Sequence, residues 1–155
     1  MLTEGERAAL REVHGEVGEL GVRVRREGRD LVRSVVLFLS GGRAIALGRH
    51  VFLPPGREHD LATLAHELMH CRQYRAWGPV RYYARGFLEQ SRHLLSRIGL
   101  AGNPYEWKGV PPRRFDEYGM EQQGQIVEDA CRGDGVARRI LAEARLETSP
   151  AAARR

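Results

Sequence analysis

The chain has 155 residues, 42% of them hydrophobic and 29% charged, so it is long enough to bury a core and is neither fibrous nor wholly disordered. Its longest apolar run, residues 35–39, is too short to cross a bilayer, and its first residues lack the pattern of a signal peptide. We therefore expect a cytoplasmic protein without a membrane partner, with export by a specialised secretion system as an alternative. The net charge of +5 is spread thinly along the chain, without a basic stripe interleaved with aromatic residues, which argues against a nucleic-acid partner.

The first predicted elements are a helix and then a small sheet. An amphipathic helix is predicted over residues 3–20, and its apolar positions are Leu10, Val13, Val17 and Leu20. The next stretch, LVRSVVLFLS from Leu31, is rich in β-branched and aromatic side chains, so it predicts a strand followed by a hairpin turn at the two glycines 41–42. The segment RAIALGRHVFLPPG predicts two further short strands. Together these strands make a short antiparallel sheet.

The remainder of the chain predicts helices. Asp60 is a good N-cap for a helix that carries an apolar stripe. This helix is predicted to end near Gly78, because a proline follows. A second helix is predicted over residues 80–98, then a long loop, a helix over residues 119–131 and a last helix to about residue 147. We expect one domain over residues 1–147 and a disordered tail over residues 148–155. The two cysteines, Cys71 and Cys131, have no zinc-knuckle spacing and are expected to be buried thiols.

The segment LAHELMHCRQYRAWG, residues 64–78, contains the pattern HExxH on the first of these helices. One helical turn separates His66 from His70, so both imidazoles project from one face and can bind one zinc ion. Glu67, beside them, is suited to take a proton from a water that the metal activates. The pattern therefore predicts a zinc site with a general base. The alternative is a pair of histidines that are merely hydrogen-bonded or exposed to solvent.

A third zinc ligand has to come from elsewhere in the chain, because the extended HExxHxxGxxH motif is absent. The helix with the sequence MEQQGQIVEDAC supplies three acids, and we choose Glu121 in its first turn. Glu128 is the competitor, two turns along the same face, while Asp129 is expected to accept a hydrogen bond from a ligating imidazole. Glu89 and His93 could also bind a metal, but a surface position is the simpler interpretation of both.

Three segments, AIALGRHVFLPPG, LAHELMHCRQYRAWG and DEYGMEQQGQIVEDA, resemble the small bacterial HExxH domains associated with contractile injection systems and Vgr-related proteins. These domains are a branch of the minimal gluzincin-like metallopeptidases (minigluzincins), and the resemblance covers about residues 30–131. It implies a zinc-dependent, peptidase-like fold in which His66 and His70 are ligands and Glu67 is the base. The downstream ligand glutamate of the family is matched here by Glu121. Gln125 stands where an acid is common among gluzincins.

We therefore expect an α+β, zincin-like domain in which a short antiparallel sheet packs on the HExxH helix, and a zinc metallopeptidase that hydrolyses peptide bonds. The substrate, a peptide or protein, is expected to add to the last strand of the sheet. Tyr118, just before the proposed ligand helix, and Tyr105 in the long loop are candidates to donate a hydrogen bond to the oxyanion. One alternative is a non-catalytic zinc-binding domain of a secretion or phage-tail-like assembly, and another is a nucleic-acid-binding module in which HExxH is accidental.

Overall fold

Five α-helices and one three-stranded sheet make up the part of the chain described by the computed structural model, which comprises residues 2–15, 20–26, 31–100, 102–111 and 113–148. The helices are α1 (Glu4–His14), α2 (Leu31–Leu39), α3 (Leu61–Arg97), α4 (Met120–Cys131) and α5 (Gly135–Thr148). The strands are β1 (Arg23–Arg25), β2 (Ile45–Leu47) and β3 (His50–Phe52). The expected α+β class is confirmed.

Helix α1 is shorter than the sequence pattern predicts. A capping box between Thr3 and Glu6 starts the helix, and Gly15 ends it because its backbone takes a positive φ of 66°. The expected continuation to residue 20 is therefore wrong. Val17 lies outside the described residues, and Leu20 is buried beyond the end of the helix.

The stretch after Leu31 is a helix, α2, and not the expected strand. Its β-branched side chains favour a strand only where they can pack against neighbouring strands, and here the apolar side chains of the helix are largely exposed. The helix is held instead by Arg33, whose guanidinium donates two hydrogen bonds to the carbonyl of Leu53. Gly41 and Gly42, with φ of 68° and 74°, terminate α2 and do not form a hairpin turn.

The sheet is mixed, with the strand order β1-β3-β2. The two strands predicted in residues 43–56 are present as β2 and β3, an antiparallel hairpin whose tight turn is at Gly48 and Arg49. Strand β1 was not predicted from the sequence, and it pairs with β3 in parallel. An entirely antiparallel sheet was therefore the wrong expectation. Because β3 is paired on both sides, β1 and β2 are the two edge strands.

Helix α3 consists of two arms that meet at Gly78. Asp60 caps the first arm through hydrogen bonds from the backbone N–H groups of Ala62 and Thr63, as expected. Gly78 has non-helical backbone angles of φ 75° and ψ 166°, and the second arm continues from Pro79 to Arg97. The predicted break and the predicted second helix are both present.

The core lies between α1, the sheet, the first arm of α3, α4 and α5. Its largest fully buried side chains are Leu10, Leu53, Leu64, Leu68 and Ile126. Both cysteines are free; Cys71 is buried and Cys131 is half-buried. The expected tail after residue 148 lies outside the described residues. Among the helices described, none has the length and apolar character needed to cross a membrane.

Candidate metal centre

The first arm of α3 is buried on most of its circumference, and its packing against the core sets the direction of the HExxH side chains. Leu64 and Leu68 are 1% and 0% exposed, and they fix the helix against the core. His66, Glu67 and His70 are also buried, at 6–8% exposure, on a neighbouring face. Polar side chains at this depth require partners, and α4 supplies most of them.

Glu121, in the first turn of α4, reaches the two histidines of α3. Its Oε2 lies 3.5 Å from His66 Nε2 and 3.4 Å from His70 Nε2, and the two Nε2 atoms are 3.1 Å apart. The structure thus brings together the three side chains that the sequence analysis chose as ligands. Of the residues described, these are the only group of three or more His, Cys, Asp or Glu side chains arranged so that they could hold a metal ion.

The geometry of this triangle fits a zinc ion. A tetrahedral ion with bonds of roughly 2.0–2.1 Å separates its ligand atoms by about 3.3–3.4 Å. The two distances to Glu121 are 3.4 and 3.5 Å, close to this separation, and the 3.1 Å between the two Nε2 atoms is slightly shorter. The outer ring nitrogens of the histidines are already engaged, since Nδ1 of His66 lies 3.1 Å from Glu128 Oε2 and Nδ1 of His70 lies 2.8 Å from Gln73 Oε1. In the neutral form of each ring, a proton on Nδ1 satisfies these outer bonds and leaves the Nε2 lone pair free to bind a cation at the centre. Two lone pairs and a carboxylate oxygen converge where a cation fits.

The residues around the ligands fix the two imidazole rings. Gln73 is 2% exposed and accepts from His70, while its own amide donates to the carbonyl of Met120 and to Gln123 Oε1. This network leaves the Gln73 oxygen as the acceptor and sets the tautomer of His70. Glu128 does the same for His66 and is held in turn by Arg132, 3.0 Å away.

Asp129 does not have the role expected from the sequence. Its carboxylate accepts hydrogen bonds from Trp107 Nε1 and from Gln125 Nε2, and the imidazole of His66 is bonded to Glu128 instead. The reason is the helical spacing: Glu128 lies two turns from Glu121 on the face of α4 that meets α3, whereas Asp129 is rotated by a further 100° toward the long loop.

Gly124 provides the space in which the His66 ring lies. A Cβ atom at this position would be 2.7 Å from His66 Nε2 and 2.8 Å from its Cε1, distances that real Cβ contacts do not reach. The glycine in the middle of α4 therefore permits close approach of the two helices at the metal centre. No pattern in the sequence connects Gly124 with His66, because the two residues are 58 positions apart.

The charges of the cluster favour a cation at its centre. Burial opposes the imidazolium form of His66, but its bonds to the carboxylates of Glu121 and Glu128 outweigh this and raise its pKa to about 10. Burial also opposes ionisation of Glu121, yet His70 and His66 hold the pKa of this carboxyl well below its usual range. Burial raises the pKa of Glu67, and the neighbouring carboxylates add to this effect.

The candidate centre opens into a cleft of about 750 Å³ between the edge strand β2, the second arm of α3 and α4. Glu67 lines this cleft, and its Oε2 is buried without a hydrogen-bond partner among the described residues. Tyr105 lines it as well, with its ring centroid 6.4 Å from that of His66. Burial raises the pKa of Tyr105 to about 12, so its phenol keeps the proton at neutral pH.

The other candidates from the sequence lie elsewhere. Tyr118 is 5% exposed in the hydrophobic core, with Arg113 over its ring, and it is not among the residues that line the cleft. The backbone before α4 directs this side chain into the core, so the structure gives no support to the predicted catalytic role of Tyr118. Glu89 and His93 do not join the group of ligands; the ring of His93 packs edge-on against Tyr105.

The roles of Gln73 and Glu128 next to the histidines were missed by sequence reasoning, although one of them left a signal. Gln73 follows His70 by three residues, a spacing at which side chains on a helix are neighbours. The contact between His66 and Glu128 spans 62 residues and has no local signal.

Comparison with known proteins gives one match. Residues 22–78 match the model of the eCIS core domain, where eCIS stands for extracellular contractile injection system. The matched segment contains His66, Glu67 and His70 and ends before Glu121. A search of curated proteins and a search of solved structures found no match. Over this segment the chain is therefore similar to the eCIS core domain, which supports the expected association with contractile injection systems.

Proposed function

We propose that the fold is zincin-like and that the protein is a zinc-dependent peptidase, with His66, His70 and Glu121 as the zinc ligands and Glu67 as the general base. One observation carries this proposal. Three buried ligand atoms lie 3.1–3.5 Å from one another beside a cleft that is lined by a carboxylate with an unpartnered oxygen. A purely structural set of histidines does not need such a carboxylate next to it.

A bound zinc ion supplies Lewis acidity, which lowers the pKa of water and polarises a carbonyl group. Glu67 accepts the proton of the attacking water and then delivers it to the amine that leaves when the C–N bond breaks. Glu67 is suited to this role because it is buried beside the two histidine ligands and its Oε2 has no hydrogen-bond partner among the described residues. We propose that Tyr105, which lines the cleft and keeps its proton at neutral pH, donates a hydrogen bond to the developing oxyanion.

The substrate is proposed to bind as an extended peptide along β2. The last strand was predicted to have this role from the sequence, but that strand is β3, which is paired on both sides and has no free edge. Strand β2 is at the edge of the sheet and lines the cleft, so its outward backbone groups face the space above the metal centre. One of these groups, the carbonyl of Ala46, accepts a hydrogen bond from the hydroxyl of Tyr82, which a bound peptide has to displace or bypass.

The proposal is tested with Glu67→Gln and His70→Ala. Purified wild-type protein is expected to contain one zinc per chain and to cleave members of a fluorogenic peptide library. Glu67→Gln is expected to keep the zinc and lose turnover by about 10²–10⁴-fold, whereas His70→Ala loses the metal itself. Unchanged turnover by Glu67→Gln with zinc retained contradicts the assignment of the base. Wild-type protein that binds no zinc contradicts the metal site.

A second function, a non-catalytic zinc-binding component of a contractile injection system, is favoured by the match to the eCIS core domain. Its partner is then a protein of the injection apparatus, and the zinc ion stabilises the contact between α3 and α4. The two functions are distinguished by wild-type turnover. Stoichiometric zinc, a lower melting temperature after chelation and no cleavage of any library peptide indicate the non-catalytic function.

A further inference from the structure

The second arm of α3, residues 79–97, has an apolar face that points to solvent. Five positions of this arm and the residue that caps it recur at alternating spacings of four and three residues, which is the heptad repeat of a helix that pairs with another helix. We call this face the seam. Its residues are Val80, Ala84, Phe87, Ser91, Leu94 and Ile98.

The seam is exposed although its residues are mostly hydrophobic. Val80 is 84% exposed, Phe87 is 74% exposed, and Leu94 and Ile98 are each 65% exposed. Ser91, the polar member, satisfies its hydroxyl by donating to the carbonyl of Phe87 on its own helix.

We propose that the seam binds the same seam of a second copy of this chain, with the two helices antiparallel. Antiparallel pairing about a two-fold axis near residue 89 places large side chains opposite small ones. Phe87 of one copy faces Ser91 of the other, Leu94 faces Ala84, and Val80 faces Ile98. In a parallel pair Phe87 would face Phe87, which overpacks the interface, and Ala84 would face Ala84, which leaves a void.

The side chains that flank the seam agree with this pairing. On one flank Leu88 of one copy faces Leu88 of the other, and Arg81 faces Leu95. On the other flank Gln90 faces Gln90 of the second copy, and Tyr83 faces Arg97. No two like charges are opposed, although the arm carries several arginines and a single glutamate. The Tyr83 and Arg97 pair brings a guanidinium to an aromatic ring.

The area available suits a weak but specific dimer. Eight apolar side chains in this region are 40–84% exposed: Val80, Tyr83, Phe87, Leu88, Leu94, Leu95, Ile98 and Leu100. With roughly 60–120 Å² per fully buried apolar side chain, the region offers about 400–500 Å² per copy. A pair buries about 900 Å² before its polar flanks are counted, close to the lower limit of specific interfaces and consistent with a dissociation constant in the micromolar range.

Tyr83, Phe87 and Gln90 belong both to this region and to the lining of the cleft. A second copy bound at the seam therefore forms part of the rim of the cleft. The proposed dimer does not depend on the proposed peptidase activity, because every residue that pairs the two copies lies outside the metal centre.

Sedimentation velocity over about 1–500 μM protein tests the proposal. Wild type is expected to convert from monomer to dimer across this range. Leu94→Glu buries one charge from each copy in the interface, and the dissociation constant of the dimer is expected to rise about 100-fold or more. Ala84→Glu is expected to act in the same way. Val136→Glu is the matched control, since Val136 is an apolar residue of α5 with 58% exposure, and it is expected to dimerise like wild type.

Cross-linking checks the antiparallel arrangement. In a Cys131→Ser background, Gln90→Cys is expected to form a disulfide-linked dimer with its own copy, because this position lies near the two-fold axis, while Val80→Cys is not. Cross-linking of Val80→Cys with itself indicates a parallel pair and overturns the proposal. A wild-type protein that stays monomeric throughout the concentration range also overturns the proposal. If that monomer binds vesicles of anionic lipid through this arm, the seam is a membrane-binding surface and not a dimer interface.

Discussion

Gly124→Ala is the sharpest perturbation of the candidate metal centre, because it adds one methyl group without removing a ligand. The new Cβ would lie 2.7 Å from His66 Nε2, 2.8 Å from Cε1 and 3.0 Å from Cδ2. All three atoms belong to the imidazole ring, so rotation of a flexible side-chain end does not relieve the contact. The ring or the whole of α4 has to move.

The size of the effect follows from these distances. An ordinary contact begins at 3.4 Å, so the ring has to move by about 0.7 Å. A ligand displaced by more than about 0.5 Å no longer has productive geometry, and we expect the zinc affinity to fall about 10–100-fold. The overpacking costs about 1–3 kcal/mol, offset in part by about 1 kcal/mol from the better helix propensity of alanine.

The assay is zinc affinity by competition with a chromogenic chelator, together with thermal unfolding of the metal-free protein. Gly86→Ala is the matched control, since Gly86 also lies within a helix and its added Cβ would meet only Met120 Cε at 3.9 Å. We expect this control to bind zinc like wild type and to unfold at a slightly higher temperature. Zinc affinity in Gly124→Ala within about twofold of wild type would refute the proposed packing of His66 on α4.

Three further predictions concern the surroundings of the centre. Gln73→Leu leaves Nδ1 of His70 without its acceptor, and zinc affinity is expected to fall about 10–100-fold in the same competition assay. Asp60→Ala removes the cap of α3 and is expected to cost about 1 kcal/mol in chemical unfolding. Burial and the neighbouring charge of Arg72 lower the pKa of His14 from 6.5 to about 3. Below pH 6.5 the unfolded chain therefore binds a proton at this position that the folded chain does not bind. The contribution of His14 to folding stability should then fall by about 1.4 kcal/mol per pH unit between pH 6.5 and pH 3. A pH series of urea melts in which His14→Gln shows the same slope as wild type contradicts this.

The sequence predicted the fold where local signals and tertiary packing agree. Asp60, the break at Gly78 and the helix of α4 were all recognised from caps, breakers and periodicity. The prediction failed at α2, because β-branched composition was taken as a strand signal. Arg33, which anchors α2 to the carbonyl of Leu53, makes a contact over 20 residues that no local pattern reveals.

The candidate site also has one part that local sequence predicts and one part that depends on tertiary packing. His66, Glu67 and His70 lie within five consecutive residues of one helix, so the 3.6-residue period alone brings the two imidazoles to one face. The choice of Glu121 over Glu128 depended on how α4 lies against α3. The structure places Glu121 at the two Nε2 atoms and Glu128 at the outer nitrogen of His66.

By itself, the sequence determined the helix with its two histidines and the carboxylate between them, because these features depend on the geometry of a single helix. Only the tertiary structure decided which acid completes the triangle, which strand borders the cleft and which tyrosine reaches it. Those answers depend on the packing of segments that are 20 to 60 residues apart. Close packing of this kind is set by the shapes of whole elements, and in Gly124 it required the absence of a side chain rather than the presence of one.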